Sequence, residues 1–438
     1  MHLTITHCQA LDPTDLVAAA RAFKATDPRD KIYALLAFKP LSFHPLWCIE
    51  TDYTKTIQEV YKLSVRACIM QSKKLLVLSH VNHPEYQLEM FVAPGKDLSR
   101  DGFPTWVPRW DSEERGGVIR KALDDGASKG LTTAYEADDN QYYKEHVRGF
   151  LPPRPSDEDD EMLEGEPMVM LPPKEPGGRV REVVPLDMTK SQDAEGATDA
   201  GRILPVIVFP KGPDNNVLKV RGIQVDTCTT GSIALQNSWW EFGANWQPVL
   251  LLLMQGLVRD NPDLLDDEEQ KANTFEELAA TLVAGNFDTI FGREDEEEVL
   301  VKKSAEAMLL FWKQTLAVME RAMEKTLPEE DLLGLPASSE LNEEESVLAY
   351  NWGAEASRRT HNRRIFRTMN GHLGNGPAAM RCNDVIAVFY GGDMPFVLRP
   401  MGLNYQVVGP CYLHGFMHGQ AVEWYKENVL EMEMFDLV

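Results

Sequence analysis

A single apolar stripe between residues 296 and 325 constrains the fold of this 438-residue chain more than any other feature. Apolar side chains recur there at alternating steps of four and three, which is the spacing of one face of an α-helix. We predict that this helix faces the core of a helical block, and the alternative is a helix that binds a partner. The stripe consists of Val301, Ala305, Met308, Trp312, Leu316, Met319 and Met323.

Two further segments carry helical signals. Residues 52–69 have apolar side chains at helical spacing, and residues 274–285 open with a capping box of Thr274 and Glu277 and close at a glycine. The apolar run KLLVLSHV at 74–81 instead predicts a short buried strand.

The remaining patterns indicate strands. Segments 202–210 and 216–228 are rich in Val and Ile and are joined by the turn residues KGPDN. From residue 363 onwards, RRIFRTMN, DVIAVFYGG, PFVLRP and YQVVGPCYLHGF form short strands between Gly, Pro and Asn turns. We therefore predict an α+β fold, with a helical block and short mixed strands followed by a C-terminal β-rich meander or barrel-like sheet.

Composition divides the chain into four regions. Residues 1–150 predict a mixed α/β region, and 151–200 is an acidic, Pro-rich loop or linker that buries little apolar surface. Residues 201–362 hold two strands plus the helical block, and 363–438 is the β-rich region.

The charge balance excludes several classes of partner. A net charge of −24 disfavours nucleic acid and anionic membrane surfaces, which attract Lys and Arg. The six cysteines form no CxxC pair, so we predict neither a disulfide framework nor a zinc site, but a reducing, cytoplasmic setting. We expect no cofactor and no membrane association.

Two histidine- and glycine-rich stretches could carry chemistry. His414 and His418 lie four residues apart, but flanking glycines predict a loop or strand end, so we expect no metal ion there. The stretch NGHLGNGP at 370–377, which includes His372, lacks the Lys of a phosphate-binding loop and predicts a turn between strands.

Charged and aromatic residues supply the remaining candidates. Arg381, Asp384 and Arg399 predict a buried ion pair that holds the sheet together, or alternatively a site for an anionic ligand. Trp106 and Trp110 flank Pro108–Arg109 and predict a core edge, or alternatively a stacking site. No catalytic set stands out, so the catalytic residues stay unknown.

Four stretches in order resemble fungal heterokaryon-incompatibility (HET) domain proteins. They are ATDPRDKIYALLAF at 25–38, DYTKTIQEVY at 52–61, FPTWVPRWD at 103–111, and the C-terminal run from RRIFRTMNGHLGNGP to YQVVGPCYLHGFMHGQA. Family proteins carry an N-terminal HET domain that resembles TIR domains, with phrases such as ALSYVWG and WIDALCINQ. Neither phrase occurs here, so the chain resembles the C-terminal region of such a protein, lacking the HET domain, and residues 1–150 resemble the region that follows it.

The resemblance implies a role in non-self recognition and programmed cell death in fungi. We expect a non-enzymatic intracellular protein that recognises or regulates an incompatibility or defence response through protein contacts, with a small-molecule ligand possible. The alternative is a stand-alone enzyme of cyclase, isomerase or hydrolase type. Its pocket would lie between the helical block and the C-terminal sheet. The candidate ligand- or partner-binding residues are Trp106, His372, Arg381, Asp384, Arg399 and His414.

Overall fold

The computed structural model describes residues 13–37, 49–72, 74–83, 102–112, 207–209, 216–232, 234–235, 249–292 and 296–438. These residues form a mixed α/β structure, so the predicted α+β class is confirmed. The helices are α1 (Pro13–Ala20), α2 (Asp30–Tyr33), α3 (Ile57–Ser72), α4 (Val249–Asp260), α5 (Glu268–Leu282), α6 (Asp288–Phe291), α7 (Glu297–Met323), α8 (Glu343–Thr360) and α9 (Gln420–Lys426).

Nine strands lie within the described residues, and all of them belong to one sheet. They are β1 (Ile207–Val208), β2 (Leu218–Gly231), β3 (Arg363–Thr368), β4 (Leu373–Pro377), β5 (Val385–Phe389), β6 (Phe396–Met401), β7 (Asn404–Pro410), β8 (Tyr412–Leu413) and β9 (Met432–Leu437).

Five of these strands close into a ring. The hydrogen-bonded order runs β5–β6–β7–β9–β2, and β2 then pairs back with β5. All pairings in the ring are antiparallel except β7 with β9. The predicted barrel-like sheet is therefore present, and β9, which the sequence patterns missed, helps to close it.

The long strand β2 makes the closure possible. Residues 218–223 pair with β9, residues 222–227 pair with β5, and the end of the strand turns away to pair with β3. At Gly222 the strand pairs on both sides, and a Cβ there would lie 2.7 Å from the Phe389 ring. A glycine is required because no side chain fits between β2 and β5 at this position.

The helices α4, α5, α7 and α8 share a second apolar core. The predicted stripe on α7 faces this core, because Met308, Trp312 and Leu316 are fully buried in it. The prediction of a core-facing helix is confirmed. The side chain of Met323, the last residue of the stripe, lies outside the described part of the structure.

The N-terminal segments pack against the ring in another core. Val17 of α1, Val60 of α3 and Trp106 join Leu398 and Phe435 in one apolar cluster. None of the described helices has the length and apolarity to cross a lipid bilayer.

Three local predictions were wrong. Residues 76–80 form a 3₁₀ helix rather than a strand, because a short apolar run carries no period that separates the two. Helix α5 begins earlier than Thr274, since the Asp267 side chain accepts hydrogen bonds from two backbone N–H groups. The predicted turn at 370–377 ends before strand β4, whose Gly374 and Gly376 give room to the Phe366 ring. Parts of the segments 25–38 and 202–210, and the whole turn at 211–215, fall outside the described residues.

Two helical glycines give opposite predictions for the same substitution. A Cβ at Gly353 of α8 would lie 2.3 Å from the Phe311 ring of α7, whereas a Cβ at Gly256 of α4 would meet nothing within 4 Å. We expect Gly353→Ala to lower the unfolding free energy by ~1–3 kcal/mol through overpacking. The control Gly256→Ala should raise it by up to ~1 kcal/mol, because alanine favours the helix. Urea unfolding followed by circular dichroism measures both, and a stabilised Gly353→Ala protein would contradict this packing.

Candidate functional site

The structure brings together Arg381, Asp384 and Arg399 at the turn that leads from β4 into β5. Asp384 accepts hydrogen bonds from Nε and Nη2 of Arg399, each at 2.9 Å, and from the backbone N–H of Arg381 at 2.7 Å. Arg399 Nη2 also donates to the Ala379 carbonyl at 2.8 Å. The guanidinium group therefore joins β6 to both ends of the turn.

Burial governs the electrostatics of this group. Burial raises the pKa of Asp384, and the contacts with Arg399 and Arg381 act against that rise. The pKa of the Arg381 guanidinium is lowered, first by its own burial and then by the charge of Arg399. Arg381 contributes only its backbone N–H to Asp384. The ion pair therefore consists of Asp384 in the turn and Arg399 in β6.

His372 and His414 also lie close together, since His372 directly precedes β4 and His414 directly follows the adjacent strand β8. The backbone N–H of His414 donates to the Leu373 carbonyl at 3.0 Å, and the His372 ring meets Phe416 edge-on. Burial lowers the pKa of both histidines. The Tyr412 hydroxyl lies 3.1 Å from Nδ1 of His414 and donates to it when that nitrogen is unprotonated.

His418 points elsewhere. Its Nε2 lies 2.7 Å from Oε1 of Glu297 at the start of α7, while the backbone at Gly415 and Gly419 has positive φ. The predicted loop at 414–418 is confirmed. No group of three His, Cys, Asp or Glu residues within the described ranges can hold a metal ion.

Trp106 and Trp110 lie in the N-terminal core. Trp106 Nε1 donates to the Asn216 carbonyl at 2.7 Å, and Trp110 Nε1 donates to Ser64 Oγ at 3.1 Å. Both indoles are fully buried, and Arg21 stacks over Trp110 at 4.8 Å. Both indole N–H groups are therefore hydrogen-bonded within the protein.

Arg29 joins the first two of the four family-like stretches. It holds Asp27 in a two-pronged ion pair and donates from Nη1 to the carbonyls of Tyr53 and Lys55, each at 2.7 Å. Asp30 then accepts a hydrogen bond from the Tyr53 hydroxyl at 2.6 Å. The polar residues of ATDPRDKIYALLAF therefore fasten it to the start of DYTKTIQEVY. Sequence reasoning gave Arg29 no role, although Asp27 and Pro28 are residues that favour turns.

Arg363 was also missed, although it lies in the most family-like stretch. Its guanidinium is buried and donates to Asn375 Oδ1 at 2.8 Å, the Asn375 carbonyl at 3.0 Å and the Pro410 carbonyl at 2.7 Å. Asn375 Nδ2 in turn donates to the carbonyls of Thr281 in α5 and Arg359 in α8. Together they form the polar junction between the sheet and the helices.

An open groove of about 380 Å³ lies between α4 and strands β2 to β4. Leu253, Phe366 and Leu373 are among its apolar residues, and Arg259 and Arg367 are among its charged residues. This is the general position predicted for an enzyme pocket. However, Trp106, His372, Asp384 and Arg399 are not among the described residues that line it.

The comparison with known families concerns the same region as the ion pair and the histidine pair. Residues 317–429 match the family described as the Het-6 beta-barrel domain. A 70-residue segment is 37% identical to heterokaryon incompatibility protein 6, OR allele, of Neurospora crassa. The C-terminal region of this chain is therefore similar to fungal proteins of the heterokaryon-incompatibility type.

The two matches cover unequal parts of the molecules. The segment shared with the Neurospora protein makes up 15% of this chain and 10% of that relative. No solved structure matches the chain. The Het-6 beta-barrel match includes β3 to β8 but ends before β9 and begins after β2, and both of these strands are needed to close the ring.

Breaking the buried ion pair tests its structural role. We expect Asp384→Leu or Arg399→Met alone to lower the unfolding free energy by ~3–5 kcal/mol, because each leaves one buried charge unpaired. The double variant should lose much less than the sum, since it removes both charges together. Urea unfolding of the four proteins gives the coupling energy. Additive losses would show that Asp384 and Arg399 do not depend on each other.

Proposed function

We propose that this chain recognises or regulates an incompatibility or defence response inside the fungal cell, through contacts with a protein partner and without catalysing a reaction. The observation that carries the proposal is the Het-6 beta-barrel match over residues 317–429. The similar segment in heterokaryon incompatibility protein 6 supports it, although this segment is a tenth of that protein. Non-self recognition and cell death belong to the same proposal.

The use of polar residues in the barrel region supports a binding role. The buried carboxylate of Asp384 is occupied by Arg399, and the buried guanidinium of Arg363 is occupied by Asn375 and Pro410. Groups that are already engaged within the protein are poorly placed to transfer protons or bind a reacting substrate. We therefore assign these charged residues to the architecture of a surface that other proteins recognise.

The groove beside α4 favours a second candidate function, the binding of a small molecule. Its apolar floor and the two arginines Arg259 and Arg367 suit a ligand with an apolar body and an anionic end. Asp260 Oδ2 accepts a hydrogen bond from Thr230 Oγ1 at 3.1 Å, which fixes one wall. The alternative of a stand-alone enzyme belongs to this second candidate, because an enzyme would bind its substrate in such a groove.

A deletion strain tests the incompatibility role. In the fungus that encodes this chain, we expect deletion to let the strain form vigorous heterokaryons with at least one tester strain that the parent rejects. Reintroduction of the wild-type gene should restore rejection. Unchanged rejection of every tester strain after deletion would contradict the proposed function.

The same strains separate the two candidate functions. A Gly256→Trp variant places a large side chain in the groove, where a Cβ meets no atom within 4 Å. If protein contacts carry the function, this variant should restore rejection as well as the wild type does. If it fails while its unfolding midpoint stays near that of the wild type, the small-molecule candidate is favoured instead.

A further inference from the structure

Helix α8 presents one face to the protein and the opposite face to solvent. On the inner face, Trp352 Nε1 donates to Ser304 Oγ of α7 at 3.0 Å, and the Trp352 ring lies 5.7 Å from that of Phe311. Gly353 lies against the same Phe311 ring. These contacts fix the rotation of α8 about its axis, so the residues of its outer face are defined.

The outer face has an uncovered apolar centre. Val347 is 56% exposed and Tyr350 is 70% exposed, which is unusual for side chains of this size on a helix whose other face is fully buried. Asn351 and Ala354 are also exposed, and none of these four exposed residues carries a charge. Each residue of the stripe lies three or four positions from another member, and Tyr350 and Asn351 are adjacent at its centre. The stripe consists of Glu343, Val347, Tyr350, Asn351, Ala354 and Arg358.

The stripe is symmetric about the midpoint between Tyr350 and Asn351. Val347 and Ala354 lie equally far from that midpoint on either side, and so do Glu343 and Arg358. In a two-fold dimer the same patch meets itself, so residue i contacts residue j and j contacts i. An antiparallel copy of α8 would therefore place Glu343 against Arg358 at both ends and the uncharged residues against each other in the middle.

The charges at the two ends are suited to this pairing. Glu355 forms ion pairs with both Arg358, at 2.8 Å, and Arg359, at 2.6 Å, so two guanidinium groups share one carboxylate and a positive charge is left over. The Arg358 side chain is 63% exposed. The first turn of α8 holds three glutamates. The helix dipole explains acidic and basic ends, but it does not explain exposed Val347 and Tyr350 between them.

We propose that the outer face of α8 is a dimer interface and that its partner is a second copy of this chain. The stripe from Glu343 to Arg358 is about 22 Å long at 1.5 Å per residue. One helix pair of that length lies at the low end of specific interfaces, so the dimer is reversible rather than permanent. The proposal does not rest on the incompatibility role, since self-association can be measured on the purified chain.

Sedimentation equilibrium of the full chain at concentrations up to about 100 μM tests the proposal. We expect concentration-dependent dimers for the wild type and a dissociation constant at least tenfold higher for Tyr350→Glu, because that variant buries a charge at the centre of the interface. The matched control is Leu403→Glu, the same kind of change at a side chain that is 96% exposed on the β6–β7 hairpin. It should leave the dissociation constant unchanged. A monomeric wild type, or equal weakening by both variants, would overturn the proposal.

A cross-link tests the symmetry itself. In the proposed dimer the two copies of residue 351 lie beside the two-fold axis, so Asn351→Cys should form an intermolecular disulfide when diamide oxidises the two thiols. Glu306→Cys, at an exposed position on α7, should not. The unmodified chain treated in the same way reports any reaction of the native cysteines. If Glu306→Cys cross-links as readily as Asn351→Cys, or if neither does in a dimeric preparation, α8 is not the interface.

Discussion

The rest of the structure depends on the buried guanidinium of Arg363, whose N–H groups need hydrogen-bond acceptors within the protein. A guanidinium group without water requires hydrogen-bond acceptors, and burial lowers the pKa of Arg363 to about 10. Its acceptors, the Asn375 side chain and the carbonyls of Asn375 and Pro410, come from two strands of the sheet, β4 and β7. The amide of Asn375 then reaches the carbonyls of Thr281 and Arg359 in two different helices. The polar groups of Arg363 and Asn375 therefore find all these hydrogen-bond partners only when the sheet and the helices are packed together.

The same principle governs the charged residues elsewhere in the family-like stretches. Arg29 joins the first stretch to the second, and Arg399 fastens the turn at Asp384 to a neighbouring strand. In these contacts the charged side chains bind partners within the protein. The exposed apolar side chains that remain, including Val347 and Tyr350 on α8, lie on the outside of this framework. Exposed apolar side chains of this kind suit the proposed role in protein contacts.

The sequence predicts regular elements better than it predicts junctions. The stripe on α7 was recognised because its period of three and four is sustained over six turns, whereas the five-residue segment LVLSH at 76–80 is too short to show such a period. The ion pair of Asp384 and Arg399 was anticipated from opposite charges in the most family-like stretch. Its geometry, and the pairing of His372 with His414, depend on which strands become neighbours. The closure of the ring by β2 and β9 joins residues about 210 positions apart, and the contact of Arg363 with Pro410 joins residues 47 positions apart.

The most direct test of this account is amide hydrogen exchange of Arg363→Lys, read by mass spectrometry on the full chain. Lysine keeps the charge but cannot reach the acceptors with a planar fork, so a buried ammonium is left poorly satisfied. The account predicts that amides of α5, α8, β3 and β4 lose protection together, because sheet and helices depend on the same junction. If only the strands lose protection while α5 and α8 stay as protected as in the wild type, the junction does not couple them and the central claim is wrong.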